Sequence, residues 1–376
     1  MSAIQVRPAM PADRDAWDAF VAQRPEGDPL QGWAWAEAGQ AVGEHWERRL
    51  AVGSDDRIRG VMQVYVRPTH LGRTIHYAPH GPVWEREAAD SAEVLGRLLR
   101  EGRRMGRAAR GVVMKVDPRT RDGGGPDALG DRLDVESRLR GTGLKPAHFF
   151  LQAPTTRIVD LLDGGESLMS TFVPDARTRV RRAVKEGVQT ELDREGAPHV
   201  LDAFQELLVE TSERQGFEIR RSREFIAALA DQLAAQGDWF TVLARFEGRS
   251  IAGIIGPRTG DRAFYLYAAS TRDPAMDRKR GGYAAMAALM RAHAEAGTRT
   301  LDLWGVREPG DESIDPSWQG FTSFKTRFGG RPLRHPRTFD VVLDPFWFRI
   351  RDWRERYLDA RAARLSRAAA EPARDG

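Results

Sequence analysis

Four stretches of this 376-residue chain set charged side chains where they could do chemistry. The first runs from Phe321 to Gly330, with Lys325 among Phe321, Phe324 and Phe328. Aromatics at helical spacing commonly mark a core, and a neighbouring lysine commonly snorkels to solvent. Held against apolar walls, the same ammonium is a strong local cation, able to stabilise a developing oxyanion in acyl transfer. The second is Lys115 and Asp117, at the end of a β-rich run, where α/β sheets place polar work. Asp117 could accept a proton or orient an amine, or form the turn before Pro118. The third is Arg214, in a helix end closed by Gly216. It is either a bidentate phosphate clamp or a cation favouring the helix dipole. The fourth is Arg177, Arg179, Arg181, Arg182 and Lys185 in one short helix. Such a helix can hold phosphate or RNA backbone, or be a solvated face.

Other chemistries lack their residues. The absence of cysteine removes thiol nucleophiles, disulfides and Cys-built zinc sites. The sequence holds neither a Gly-x-Ser-x-Gly elbow nor a Gly-x-x-x-x-Gly-Lys-Ser/Thr loop. Of its eight histidines only His76 and His80 stand four apart, in a strand running into a Pro-Gly turn and not on one helix face, so a metal site has little support and no cofactor is expected. An acyl-CoA grip at the start of a helix would need an Arg/Gln-x-x-Gly-x-Gly/Ala turn. The corresponding stretch, Arg278 to Ala284, has Tyr283 where the second small residue belongs.

The elements that must position these residues form a repeated pattern. Residues 48–117 give strand, turn, strand, a strand carrying Tyr77, a helix near 87–107 and a closing strand ending at Val116. Residues 240–304 give the same order around Tyr267 and a helix near 278–297. Gly60 and Gly253 are parallel landmarks. Further helices are expected at 11–22, 31–40, 128–141, 198–215, 222–236 and 317–328. Asp175 is expected to cap the Arg-rich helix 176–186, and Gly187 to end it. Arg337 to Leu343 reads as a returning strand, 344–367 as an Arg-rich amphipathic helix, and 368–376 as a frayed tail. The pattern predicts an α/β (α+β) protein of two tandem acetyltransferase-like domains with mixed, mostly antiparallel sheets. The first covers 1–150 plus about 330–367, so the C-terminal segment returns to domain 1; the second covers 151–329. The chain length suits two cores, and a site is expected between them. A hydrophobic content of 41%, a charged content of 30% and a net charge of +4 fit a globular protein tolerant of anionic partners. No apolar run approaches the roughly 20 residues that span a bilayer, and the N-terminus has no apolar signal core. A cytoplasmic protein is expected, at most touching a membrane surface through helix 344–367.

In order along the chain, the motifs resemble those of the Fem-type (FemABX) peptidoglycan-bridge aminoacyltransferases. Leu30 to Trp35 resembles the family's early Gln-x-x-x-Trp segment. Tyr77 to Val83 resembles Tyr-x-Pro-Arg-Gly-Pro-Val, with His80 in place of Arg. Lys115-Val116-Asp117-Pro118 resembles its strand-end Lys/Arg-x-Asp-Pro. Arg177 to Val188 resembles its basic helix, Arg214 to Phe217 its Arg-x-Gly-Phe, and Phe324 to Gly329 its Phe-Lys-x-x-Phe-Gly. The resemblance spans roughly residues 25–350.

The resemblance implies transfer of an amino acid (glycine, alanine or serine) from aminoacyl-tRNA to the stem-peptide amine of a UDP-linked or lipid-linked peptidoglycan precursor. It implies the short form of the family, without a coiled-coil tRNA arm. Lys325 would stabilise the transition state, Asp117 would sit near the acceptor, Arg214 would bind the precursor's phosphates, and Trp35 would lie near the precursor groove. Tyr77, Tyr267, Lys115 and Phe324 complete the expected substrate contacts. Arg177, Arg181, Arg182 and Lys185 are the expected tRNA or phosphate contacts. An activated ester needs no covalent nucleophile, only positioning, oxyanion stabilisation and a proton path. Two other readings stand beside this one: another acyltransferase of the same fold, using acyl-CoA or a different acceptor, and a non-catalytic basic module binding RNA or membrane.

Overall fold

The computed structural model describes residues 4–121, 125–161, 165–308 and 318–370; for 125–127, 165–167 and 358–370 only the backbone is described. Part of the polar loop 119–126 and the end of the tail lie outside these residues.

An eight-stranded sheet organises the first half. Its order is Gln5–Pro8, His45–Val52, Ile58–Pro68, Thr74–Ala78, Gly111–Val116, Phe339–Val342 and Lys145–Pro146, with Val83–Trp84 paired to Ile58–Pro68. Helix Ser91–Ala108 buries Val94, Leu95, Leu98 and Leu99, a stripe at helical spacing. It crosses the sheet at Gly60, where an added Cβ would lie 2.9 Å from Val94 and 3.0 Å from Leu98. Strand Thr74–Ala78 then runs parallel to Gly111–Val116 and sets Tyr77 opposite Lys115. Phe339–Val342 pairs antiparallel with Gly111–Val116, so the C-terminal segment does return to the first sheet.

The second half repeats the order but splits its sheet. Four antiparallel strands (Gln189–Asp193, Thr241–Phe246, Arg249–Ile255, Tyr267–Ser270) form one part. Five (Thr155–Asp160, Arg258–Thr259, Arg262–Phe264, Thr300–Asp302, Arg331–Arg334) form the other. The chain crosses between them at Tyr265 and Leu266. The Tyr265 N–H donates to the Asp302 carbonyl at 2.7 Å, the Leu266 N–H to the Ile255 carbonyl at 3.0 Å. This is the splay of an acetyltransferase-like sheet; the first half keeps its corresponding strands in one sheet. The landmark glycines are not equivalent, because Gly253 lies against Phe204 of helix Pro198–Gln215, the helix before the repeat, whereas Gly60 lies beneath the helix within it.

A shared core joins the halves. Leu30, Ala34, Trp35 and Trp46 from the first pack with Phe204, Phe225, Leu229 and Trp239 from the second. Two expected details change. The basic helix is Pro174–Lys185, with Val173 at its N-cap and Pro174 opening the first turn; Asp175 makes no cap hydrogen bond and instead pairs with Arg179 and Arg327. Strands Gln189–Asp193 and Arg331–Arg334 had no counterpart in the sequence reading.

Candidate active site between the two halves

The site starts where strand Gly111–Val116 ends. Asp117 follows it, buried, with both carboxylate oxygens occupied. Oδ2 accepts from the Tyr77 hydroxyl at 2.8 Å and Oδ1 from the His80 backbone N–H at 2.8 Å. Burial pushes the Asp117 carboxyl up to about 6, and burial beside Asp117 pushes the Tyr77 phenol up. His80 adopts a left-handed backbone, φ 52°. The ring Nδ1 is against Asp28 Oδ2. Asp28 is fully buried; its Oδ1 accepts from the Leu30 N–H at 2.8 Å, and Arg119 Nη1 lies 3.6 Å from its Oδ2.

Arg119 carries the network into the second half. Its guanidinium meets Asp302 and lies 5.3 Å above the Phe264 ring. Asp302 ends strand Thr300–Asp302, as Asp117 follows its own strand. It also binds the Thr156 hydroxyl and the Trp304 N–H, the latter at 2.6 Å. His80, Ala153, Thr156, Asp302, Trp304, Gly305 and His335 surround a small, partly open cavity at this junction.

Lys325 closes the site from helix Gln319–Thr326. It does not snorkel. It is 6% exposed, with Nζ donating to the Gly305 carbonyl at 2.8 Å and lying 5.1 Å and 5.4 Å from the Tyr265 and Phe321 rings. Burial lowers its ammonium to about 7, against the favourable charge of Asp302. A buried lysine brought toward neutrality, one hydrogen bond from a cavity wall, marks a candidate functional site. Lys325 and Asp117 thus reach one cavity, Lys325 through Gly305 and Asp117 through His80.

Other expected residues lie elsewhere. Lys115 is committed to Asp340 at 2.6 Å and to the Phe149 ring at 5.0 Å. Phe324 turns away from Lys325 into an aromatic cluster, 5.2 Å from Tyr283 and 5.1 Å from Phe328. Trp35 is 4% exposed in the shared core, 5.1 Å from Phe225, so it packs the halves together and does not line a groove. Tyr267 packs on the edge of that core, its phenol raised by burial. Arg214 donates to the carbonyls of Ser270 and Thr271 and to Ser270 Oγ, at 3.2, 2.5 and 2.9 Å, tying a helix end to a strand end. Arg177 donates to the Phe172 carbonyl at 2.9 Å and Arg182 pairs with Glu186. Arg181, Arg182 and Lys185 are exposed, forming a separate basic face. A larger cleft, about 410 Å³, runs between Pro29 and Leu233 but holds none of the expected residues. Among the described residues no cluster of three or more His, Asp or Glu side chains could hold a metal.

Asp28, His80, Arg119, Thr156, Asp302 and His335 were absent from the expected site. Asp302 had a signal in the repeat, at the end of the strand equivalent to the one preceding Asp117. His80 stood in the Tyr77–Val83 motif but was given no role there, and Asp28, Arg119, Thr156 and His335 come from positions too scattered for spacing to connect.

A family of acetyltransferase (GNAT) domains matches residues 174–313. Over 223 residues the chain is 32% identical to a lipid II:glycine glycyltransferase of Staphylococcus aureus strain MRSA252, covering 59% of this chain and 51% of that protein. The same enzyme from strain N315 is 31% identical over the same length. The chain thus spans about half the length of the curated relatives it matches. A crystal structure of FemX superposes with a TM-score of 0.76 at 22% identity, covering 93% of this chain and all of that one. The chain shares the fold of FemX and, over the matched stretch, is similar in sequence to these glycyltransferases. Its two-fold acetyltransferase-like architecture is shared more distantly by a tandem GNAT protein from the clavulanic acid pathway, TM-score 0.54 at 11% identity over 91% of this chain and 99% of that one.

Proposed function

We propose that this protein is a Fem-type aminoacyltransferase. It takes a small amino acid, glycine foremost, from aminoacyl-tRNA and joins it to the stem-peptide amine of a lipid-linked peptidoglycan precursor. The observation that carries this reading is Lys325. It is a buried ammonium held beside a cavity between two acetyltransferase-like halves, where an ester carbonyl would develop negative charge. The names of the glycyltransferase relatives support glycine and a lipid-linked acceptor. The exposed basic face of Arg181, Arg182 and Lys185 suits the tRNA backbone.

The reaction balances without a covalent enzyme intermediate. The acceptor amine forms a bond to the ester carbonyl carbon, the bond to the ribose oxygen breaks, and the amine proton ends on that oxygen. Lys325 would face the oxyanion while Asp117 orders Tyr77 and His80 around the acceptor. The same reading places the protein at the inner face of the membrane. No described helix is long and apolar enough to cross a bilayer, and the contact surface proposed is the exposed face of helix Pro345–Ala370.

The test is transfer of radiolabelled amino acids from charged tRNA to UDP-linked and lipid-linked pentapeptides, with and without ribonuclease. Product that vanishes with ribonuclease supports the reading. Folded protein that yields none, but is stabilised thermally by CoA thioesters, would replace it with an acyl-CoA transferase.

A further inference from the structure

We propose that His80, oriented by Asp28, is the base that takes the proton from the attacking amine in the reaction proposed above, on which this inference rests. His80 is 5% exposed and lines the cavity between the halves. Its Nδ1 faces Asp28, while its Nε2 has no hydrogen-bond partner among the described residues. A buried polar nitrogen without a partner is costly. A carboxylate on Nδ1 fixes the proton there and leaves the lone pair on Nε2, the arrangement by which imidazole acts as a general base.

The surroundings are built to hold this ring. Asp28 is set by the Leu30 N–H and faced by Arg119. The His80 N–H is fixed by Asp117, which holds the residue in the left-handed region. Across the cavity Trp304, its ring 5.4 Å from His80, is also left-handed, φ 59°. Two non-glycine residues in this sparsely populated conformation facing one cavity are the kind of strain found at functional sites. The opposite wall includes Gly305, whose carbonyl holds Lys325. His80 thus reaches the cavity from the first half, and Gly305, whose carbonyl accepts from Lys325, from the second.

The other titratable groups here are less suited. Both oxygens of Asp117 are filled, making it a positioning residue. His335 accepts the Thr120 N–H at Nδ1, 3.3 Å, and burial holds it neutral, so its Nε2 carries the proton. Arg119 and Asp302 neutralise one another. The step runs from the amine nitrogen to His80 Nε2, as the nitrogen–carbon bond forms, and from Nε2 to the departing ribose oxygen as the ester bond breaks.

Two measurements test it. Heteronuclear NMR of the histidine-labelled full chain should show neutral His80 protonated at Nδ1, with the preference weakened in Asp28→Asn. A proton on Nε2 in the unaltered protein overturns the proposal whatever the activity. In glycyl transfer from tRNA to the lipid-linked pentapeptide, His80→Gln should lower kcat by about 10²-fold, leave KM unchanged and abolish the acid limb of the pH profile. The groups facing His80 that must be accounted for in that limb are Asp28, Asp117, Arg119, Asp302, His335 and Lys325. Asp28→Asn, with circular dichroism matching the unaltered protein, should lower kcat less and displace the same limb. An unchanged rate and limb in a folded His80→Gln overturns the base alone. Failure of the unaltered protein to transfer from any donor overturns the aminoacyl reading, and the base with it.

Discussion

Lys325 can face an oxyanion only while protonated, and burial has brought its ammonium down to about 7. The alkaline limb of kcat should therefore fall through about pH 7. Lys325→Arg, with a group that stays charged, should move that limb upward, and Lys325→Met should cost about 10²–10³-fold in kcat. Stability runs the other way. The folded value lies below the unfolded one, so between pH 7 and 10.5 the unfolded chain binds the extra proton and stability rises with pH. The penalty is fully present below 7, and folded Lys325→Met should exceed the unaltered protein there by on the order of a few kcal/mol in denaturant titrations. A less stable variant would make the lysine structural. Asp117 has the opposite sign, its folded value raised to about 6. Its destabilising contribution is absent below pH 3.8 and grows as pH rises to 6. Buried neutral histidines such as His76, lowered to about 4 by burial, oppose it. The pH dependence of the difference between Asp117→Asn and the unaltered protein is the clean quantity: it should shift toward the variant by up to about 3 kcal/mol between pH 3.8 and 6, on top of a constant cost for setting an amide NH2 against one of the two donors. A difference independent of pH would contradict the burial argument. Lys325 and Asp117 could be singled out from the sequence as candidates because each sits in a short motif whose residue types carry a mechanism, and the structure shows both buried at the junction of the halves. Asp302 and His80 stood in a repeat and a motif without an assigned role, and Asp28 and Arg119 had no signal, because the four meet only after two sheets have folded and packed.

Among elements, those with a full apolar stripe were legible and those at sheet edges were not. Helix Ser91–Ala108 buries one residue pair per turn and announces itself. Strand Gln189–Asp193 buries only its last residue, and Arg331–Arg334 contains Pro332 and buries only Leu333, so neither has a period-2 signal. The link between halves depends on a side chain of the segment after Gly111–Val116. Arg119 lies between two buried carboxylates, Asp28 and Asp302. Arg119→Met should cost about 3–5 kcal/mol, because both carboxylates would lose their cation. Chemical denaturation should read the loss, and a change below 1 kcal/mol would show that the carboxylates find other partners. Arg214 has two roles to separate. Its bonds to the end of strand Tyr267–Ser270 make Arg214→Ala destabilising by about 1 kcal/mol. Calorimetric binding of the UDP-linked pentapeptide should weaken as well; unchanged affinity with the lower stability would assign Arg214 to the fold alone.

For the whole molecule, the repeat and the returning C-terminal strand were readable as order along the chain, but the orientation of the last helix was not. Helix Pro345–Ala370 leaves the first sheet with Asp344 paired to Arg73 and Trp347 beneath the Arg73 guanidinium. Phe346, Ile350, Trp353 and Tyr357, at i, i+4, i+7 and i+11, are 65, 43, 67 and 55% exposed. Arg349 and Arg354 share that exposed face and have no ion partner among the described residues. An aromatic stripe flanked by unpaired arginines matches the chemistry of an anionic lipid surface, where a lipid-linked acceptor would present its stem peptide. The protein should co-sediment with vesicles of phosphatidylglycerol and phosphatidylcholine and leave phosphatidylcholine vesicles unbound. Added salt should weaken the binding. Trp353→Glu with Tyr357→Glu should abolish it while transfer to the soluble UDP-linked precursor persists, because neither residue lines the cavity between the halves. Equal binding to both vesicles would contradict the lipid reading. So would a dimer, in sedimentation velocity, that the same double substitution dissociates, since the stripe would then be covered by a second copy of the chain.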